Sequence, residues 1–245
     1  MLRAILNLRN TACPTIIQKV VLAFVWGCVW TFKRAQTAIT VRGWMPPFHD
    51  SEVASLCKAV TTNYPFKKVL ELGINLGQVM DVLSWVLPDV KFVGVSDDVA
   101  KIFRLRPFAQ TRTNVEVVQE ELHNLRDHAD GTFDVSYTCG VLSYCDKKEA
   151  TQILKELRRV TSGSIFLLEL QDASRVFSDN GVEKSQNCTQ FYDTQGNTNL
   201  WVRDYVKFVA EVLGSKSGRV TCSKVKRPLW DNMFWRNYGA VVVIE

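Results

Sequence analysis

Residues 1–49 contain no aspartate or glutamate, although Arg3, Arg9, Lys19, Lys33, Arg34 and Arg42 all fall there. The net charge of +5 is therefore a property of this segment, since the rest of the chain holds 24 basic and 25 acidic residues. A body so close to neutral offers no broad basic surface, which argues against a nucleic-acid partner. Histidine is scarce, with three in 245 residues, and the seven cysteines are scattered without a Cys-x-x-Cys pair. Their odd number and irregular spacing exclude a disulfide framework, and His49, His123 and His128 do not combine with them at zinc spacings. No metal site is expected, and a reducing compartment fits this cysteine usage. Asn187-Cys188-Thr189 matches a glycosylation sequon, a tripeptide that arises often by chance.

Charge is missing again from Val20 to Phe32, thirteen uncharged residues. As a helix this run is about 20 Å long, against roughly 30 Å for a bilayer core. With residues 14–19 it approaches spanning length, because Lys19 can snorkel from one end. Trp26 and Trp30 lie one turn apart, and Lys33-Arg34 follow, as suits a membrane interface. Three readings stand for residues 1–45: a membrane anchor through residues 14–32, an organellar (for instance mitochondrial) targeting sequence, or a helix buried on the body or in a protein partner.

Residues 46–245 read as one α/β domain. Asp50-Ser51-Glu52 starts a helix with Val53, Leu56, Cys57 and Val60 on one face. Val69-Leu-Glu-Leu-Gly-Ile-Asn-Leu-Gly-Gln78 then reads as a buried strand stopping at a glycine turn and opening into a helix. Gly73 permits a sharp turn, and Asn75 is one of the few residues besides glycine that tolerate a left-handed backbone. Free amides where a helix opens near Gly77 make a seat for a polar ligand. Helix 79–86 ends before Pro88, and the second strand, Lys91–Ser96, leads into Asp97-Asp98. A helix over 101–108 stops near Pro107, and Asn114–Gln119 forms the third strand before Glu120-Glu121-Leu122. Phe133–Cys139 is the fourth strand, followed by Gly140-Val141-Leu142-Ser143-Tyr144. Ile153, Leu154 and Leu157 mark the inner face of a helix over 147–160, and Gly163–Leu170 is a nearly all-apolar fifth strand.

The phrases ELGINLG, FVGVSDD, VVQEEL, FDVSYTCGVLSY and GSIFLLEL, in this order and at these intervals, resemble the class I S-adenosylmethionine-dependent methyltransferases. Glu71, Gly73 and Gly77 match the family's first motif, with Asn75 in place of its middle glycine. The resemblance covers roughly residues 50–245. It implies an α/β three-layer sandwich, with a seven-stranded, mostly parallel sheet closed by a C-terminal antiparallel hairpin. The ligand belongs at the carboxyl ends of the strands. It also implies roles. Asp97 would accept from the ribose hydroxyls, with a helix-capping pair as the competing reading of Asp97-Asp98. Glu121 and Leu122 would hold the adenine, unless they are solvated loop residues. Cys139 would line the floor under the methionine part. The family's acid usually stands where Ser96 stands here, one position earlier. A nicotinamide-binding fold would want glycine at positions 75 and 78, where this chain has Asn75 and Gln78.

The cofactor so implied is S-adenosylmethionine, and the acceptor a small molecule or lipid-like compound, at a membrane if residues 14–32 are an anchor. The Asp-Pro-Pro-Tyr type of motif used on base amines is absent, which speaks against a nucleic-acid acceptor. No residue declares itself as a base by spacing, and Tyr144, His49 and Asp172 are the candidates. Residues 171–200 form a polar stretch without a strong regular element and read as a substrate loop or lid, with Asp172, Arg175, Phe191 and Tyr192 as contacts. Residues 203–212 return to helix, and 219–226 and 238–245 form the last two strands, joined by a loop carrying Trp230, Phe234 and Trp235. A noncatalytic, methyltransferase-like subunit of a membrane or organellar complex is the alternative, fed by the departures at Asn75 and Ser96.

Overall fold

The structure is a computed structural model that describes residues 50–171, 184–185, 188–192, 199–225 and 238–245, with side chains from residue 52 and none described between 184 and 199. The expected hydrophobic helix of residues 14–32, the candidates His49, Asp172 and Arg175, and the aromatics Trp230, Phe234 and Trp235 lie outside the described residues. Among the described residues no helix is long and apolar enough to cross a membrane.

Helix α1 (Asp50–Thr62) precedes strand β1 (Lys68–Leu72), helix α2 (Gln78–Val86) and strand β2 (Lys91–Ser96). Helix α3 (Val99–Gln110), β3 (Val115–Gln119) and β4 (Val135–Cys139) follow, then α4 (Lys147–Val160) and β5 (Ile165–Leu170). Beyond them come β6 (Lys184–Ser185), β7 (Cys188–Tyr192), β8 (Asn199–Arg203), α5 (Tyr205–Leu213), β9 (Val220–Lys224) and β10 (Gly239–Ile244). The main sheet has seven strands in the order β3-β2-β1-β4-β5-β10-β9. The five strands from β3 to β5 run parallel, and β10 is antiparallel to both β5 and β9. The order reverses beside β1, between β2 and β4, and such a crevice outside the carboxyl ends of the strands is where open α/β sheets take their ligands.

Apolar patterning builds the layers. Leu70, Leu72, Val93, Val95, Ile165, Leu167, Val242 and Ile244 point to one face, where Ile153, Leu154 and Leu157 of α4 and Phe208 and Val209 of α5 cover them. The other face carries Val69, Glu71, Phe92 and Tyr137, with Val53, Leu56, Cys57 and Val60 of α1 all nearly or fully buried. Two side chains lock the register. The Asp134 carboxylate accepts from the Lys67 and Lys68 amides at 2.7 and 2.9 Å, tying the start of β4 to the start of β1. Asn114 donates to the carbonyls of Ser84, Leu87 and Val90, closing the turn between α2 and β2. Far from the strands' carboxyl ends, the Arg159 guanidinium gathers the carbonyls of Leu125 and His128 and the carboxylates of Glu156 and Asp130.

Three elements differ from the sequence expectation. Pro107 lies inside α3 rather than ending it, for it forfeits one backbone bond while Ile102 and Leu105 keep the helix on the core. The polar stretch 171–200 is not without regular structure: β6, β7 and β8 pair as a three-stranded antiparallel sheet, and cross-strand pairing supplied what weak propensity did not. Arg203 ends β8 instead of opening a helix, and Asp204 caps α5 by accepting from the Lys207 amide.

Candidate active site

The turn after β1 is built around glycines without room for a side chain. Gly73 ends β1 with φ of 76°, and its amide and that of Ile74 donate to the Val95 carbonyl at 2.9 and 2.8 Å. A Cβ on Gly73 would stand 2.3 Å from the Val141 side chain. The turn after β1 and the turn after β4 are therefore in contact through the missing side chain. Gly77, at φ 65°, is the residue before α2. Gly94 lies beneath this loop, where a Cβ would meet Ile74 and Met80 at 2.7 and 2.9 Å. Asn75 and Leu76 are the exposed members of the loop.

Glu71 lies under that loop, 3% exposed. Its carboxylate accepts from the Tyr137 hydroxyl at 2.8 Å and from the Met80 amide. Burial pushes its pKa from an ordinary 4.5 to about 7, against the pull of these two donors. Glu71 thus reaches the site through what it holds, namely β4 and the start of α2.

At the end of β2 the two acids divide. Asp98 caps α3, accepting from the Ala100 and Lys101 amides at 2.8 and 3.3 Å, and its own amide donates to the buried Ser96 hydroxyl. Asp97 is exposed and has no hydrogen bond or ion pair among the described residues. It is the first residue beyond the strand, where pleat alternation no longer fixes its direction.

After β3, Glu121 is exposed and lies 3.6 Å from His123, while Leu122 is half-buried against the core. The buried acid here is Glu120, whose side chain is 9% exposed and faces His128 at 3.4 Å. Burial raises its pKa, opposed by His128.

Cys139 ends β4, half-buried, and its thiol is held well above the ordinary thiol range by burial, then by the charges of Glu71, Glu169 and Glu52. Three carboxylates are thus in electrostatic reach of one thiol, so the thiol stays protonated and is no nucleophile. Tyr144 is 54% exposed, and burial followed by the charge of Glu169 raises its pKa.

Two residues of the site were passed over in the sequence. Glu169 of β5 is fully buried, and its carboxylate accepts from Thr138 Oγ1, the amides of Val141, Leu142 and Ser143, and Ser143 Oγ, at 2.7–3.1 Å. Arg203, 1% exposed, donates to the carbonyls of Leu142 and Cys145. A lone charge in Ile-Phe-Leu-Leu-Glu-Leu was the available signal for Glu169, because a buried carboxylate demands partners. Arg203 gave none.

Residues 69–163, from β1 to the turn before β5, match the family model described as a methyltransferase domain. Over that stretch the chain is similar to a methyltransferase domain. This match, with the fold shared with solved SAM-dependent methyltransferases, supports an enzyme that uses S-adenosylmethionine. Solved structures share the architecture. One is a SAM-dependent methyltransferase from Methanosarcina mazei, at TM-score 0.54 and 18% identity over 76% of this chain and 94% of that one. Another is the sugar N-methyltransferase KedS8 from a Streptoalloteichus species, at TM-score 0.55 and 14% identity over 80% and 87%. A third is DhpI in complex with SAH, at TM-score 0.55 and 14% identity over 88% and 93%. At such identities the likeness is one of fold. No curated protein matches the sequence.

Proposed function

We propose that the domain binds S-adenosylmethionine across the turns after β1, β2 and β4 and transfers its methyl group to a small-molecule or lipid-like acceptor. The observation that carries this reading is the Asp97 carboxylate at the end of β2, without a partner among the described residues while Asp98 caps the helix. A free carboxylate at this point accepts from two vicinal hydroxyls at once. Gly73 and Gly77 hold the turn in its left-handed shape, with Asn75 and Leu76 as its exposed members. Leu122 supplies apolar surface, and Glu121 a carboxylate for an amino group.

When bound, the cofactor supplies a methyl group already activated by its positive sulfur. This chain's residues then hold and orient. The Gly73 and Val141 turns fix the donor pocket, and the carboxylates of Glu52, Glu71 and Glu169 set its potential. Holding donor and acceptor in line is the larger part of such catalysis.

The acceptor class rests on two supports. KedS8, similar in fold, is a sugar N-methyltransferase. The uncharged run Val20–Phe32 in an acid-free segment supports a membrane-associated enzyme and a lipid-like acceptor. The test uses the full chain and methyl-labelled S-adenosylmethionine. Calorimetry should show micromolar binding, and label should pass into an organic extract of membranes. Label confined to water-soluble products would reject the lipid-like acceptor. A folded chain that binds no S-adenosylmethionine would reject the reading as a whole.

A further inference from the structure

Two buried, oppositely charged side chains grip one turn from its two polar sides. The turn after β4 presents the amides of Val141, Leu142 and Ser143 to the Glu169 carboxylate. It presents the carbonyls of Leu142 and Cys145 to the Arg203 guanidinium. Neither charge reaches solvent. Burying a carboxylate and a guanidinium is costly, and apolar packing commonly serves stability as well or better, so stability alone gives little reason for both. What the arrangement supplies is position. Val141, at the start of the gripped turn, is the residue that fills the space left by Gly73. A shift of this turn reshapes the donor pocket directly.

Arg203 also links the turn to another part of the chain. It ends β8, the strand that closes the three-stranded sheet, and forms a bridge with Gln171. Gln171 follows β5, two residues after Glu169; its side-chain oxygen accepts from the Tyr205 amide at 2.9 Å, and its amide donates to the Tyr238 carbonyl at 2.8 Å. Both ends of the stretch from Gln171 to Arg203 are thereby fixed beside the same turn. The Arg203 guanidinium further rests near the rings of Trp201 and Phe208, at 5.5 and 5.7 Å.

We propose that Glu169 and Arg203 are positioning residues: from opposite sides of the Val141–Cys145 turn they hold it against Gly73 and couple the donor pocket to β8, the last strand of the three-stranded sheet. This rests on the cofactor reading above. It makes S-adenosylmethionine affinity sensitive to a side chain at the base of the three-stranded sheet. By reciprocity, cofactor binding quiets that sheet.

The test is calorimetric titration of the full chain with S-adenosylmethionine, with thermal melting alongside. Glu169→Gln keeps shape and removes charge, but its amide group turns a donor toward either the Ser143 pair or the Val141 and Leu142 amides. It should weaken binding at least tenfold. Arg203→Met should do the same, and Arg203→Lys, which retains one donor group, should recover part of the loss. Arg159→Met is the control, because it breaks a comparable network far from the strands' carboxyl ends. It should lower the melting temperature and leave the affinity within twofold. Independently of any variant, amide hydrogen exchange in the wild-type chain should slow over residues 199–203 when the cofactor is added. Clamp variants that bind like wild type, an Arg159→Met loss in step with theirs, or unchanged exchange over 199–203 would overturn the coupling while the cofactor reading stands. A wild-type chain that does not bind overturns both.

Discussion

Tyr137 donates its phenol to the Glu71 carboxylate at 2.8 Å, between residues that stand opposite each other on β4 and β1. Burial outweighs this donor, so the Glu71 pKa is raised from 4.5 to about 7. The sign follows. A folded-state pKa above the unfolded one contributes stability that is fully present below pH 4.5 and is lost as pH rises through about 7. Ionising Glu71 in the fold costs up to about 3 kcal/mol at the alkaline end of that window. Glu71→Gln, which has no proton to lose, should therefore gain on wild type as pH rises from 4.5 to 8. Urea unfolding at several pH values reads the difference, and a pH-independent difference would refute it. Tyr137→Phe, which removes a donor from a buried acceptor, should cost about 1–3 kcal/mol at neutral pH.

Gly73 combines a left-handed backbone with a neighbour at 2.3 Å from its missing Cβ. Gly73→Ala thus meets two obstacles, and the conformational one alone is worth about 1–2 kcal/mol. The second is the Val141 side chain. Calorimetry should find S-adenosylmethionine binding lost in Gly73→Ala. Adding Val141→Ala should restore part of it by opening space, without repairing the strain. A double variant no better than Gly73→Ala would show that contact with Val141 does not limit the pocket.

The glycine turns and five of the strands were legible in the sequence because parallel strands covered on both faces read as apolar runs closed by glycine or acid, as at Val69–Gly73 and Lys91–Asp97. The helix faces of α1 and α4 followed from spacing alone. Where pairing mattered more than pattern, the reading failed. Cys188–Tyr192 mixes polar and apolar residues, and only its partner strands make it a strand. Which of Asp97 and Asp98 caps α3 depends on a turn geometry that two adjacent aspartates do not encode. Arg203 stands 34 positions after Glu169 and meets it only through a shared turn.

Cys139 makes a prediction by inertness. Its thiol is raised well above its ordinary value by burial and by Glu71, Glu169 and Glu52. At pH 8 iodoacetamide should label the exposed Cys222 well before Cys139, as peptide mapping would show. Cys139→Ala should bind S-adenosylmethionine within about threefold of wild type, since burying a neutral thiol is a matter of packing. Rapid alkylation of Cys139, or loss of binding in the alanine variant, would place the thiol in direct service of the ligand.

The adjacent acids Asp97 and Asp98 separate affinity from stability. Asp98 is spent on the α3 amides at 2.8 and 3.3 Å, so Asp98→Ala should lose about 1 kcal/mol of stability, the usual worth of a helix cap. Its effect on S-adenosylmethionine binding should be small, because Asp97 remains. Asp97→Ala touches nothing among the described residues and should leave the melting temperature unchanged. If it accepts from the cofactor's hydroxyls, two hydrogen bonds to a charged group disappear, and binding should weaken by roughly a hundredfold or more. Asp97→Asn, which keeps an acceptor oxygen and loses the charge, should fall between. Crossed behaviour, with Asp98→Ala the variant that loses affinity, would reassign the ribose contact to Asp98 and leave Asp97 a solvated acid.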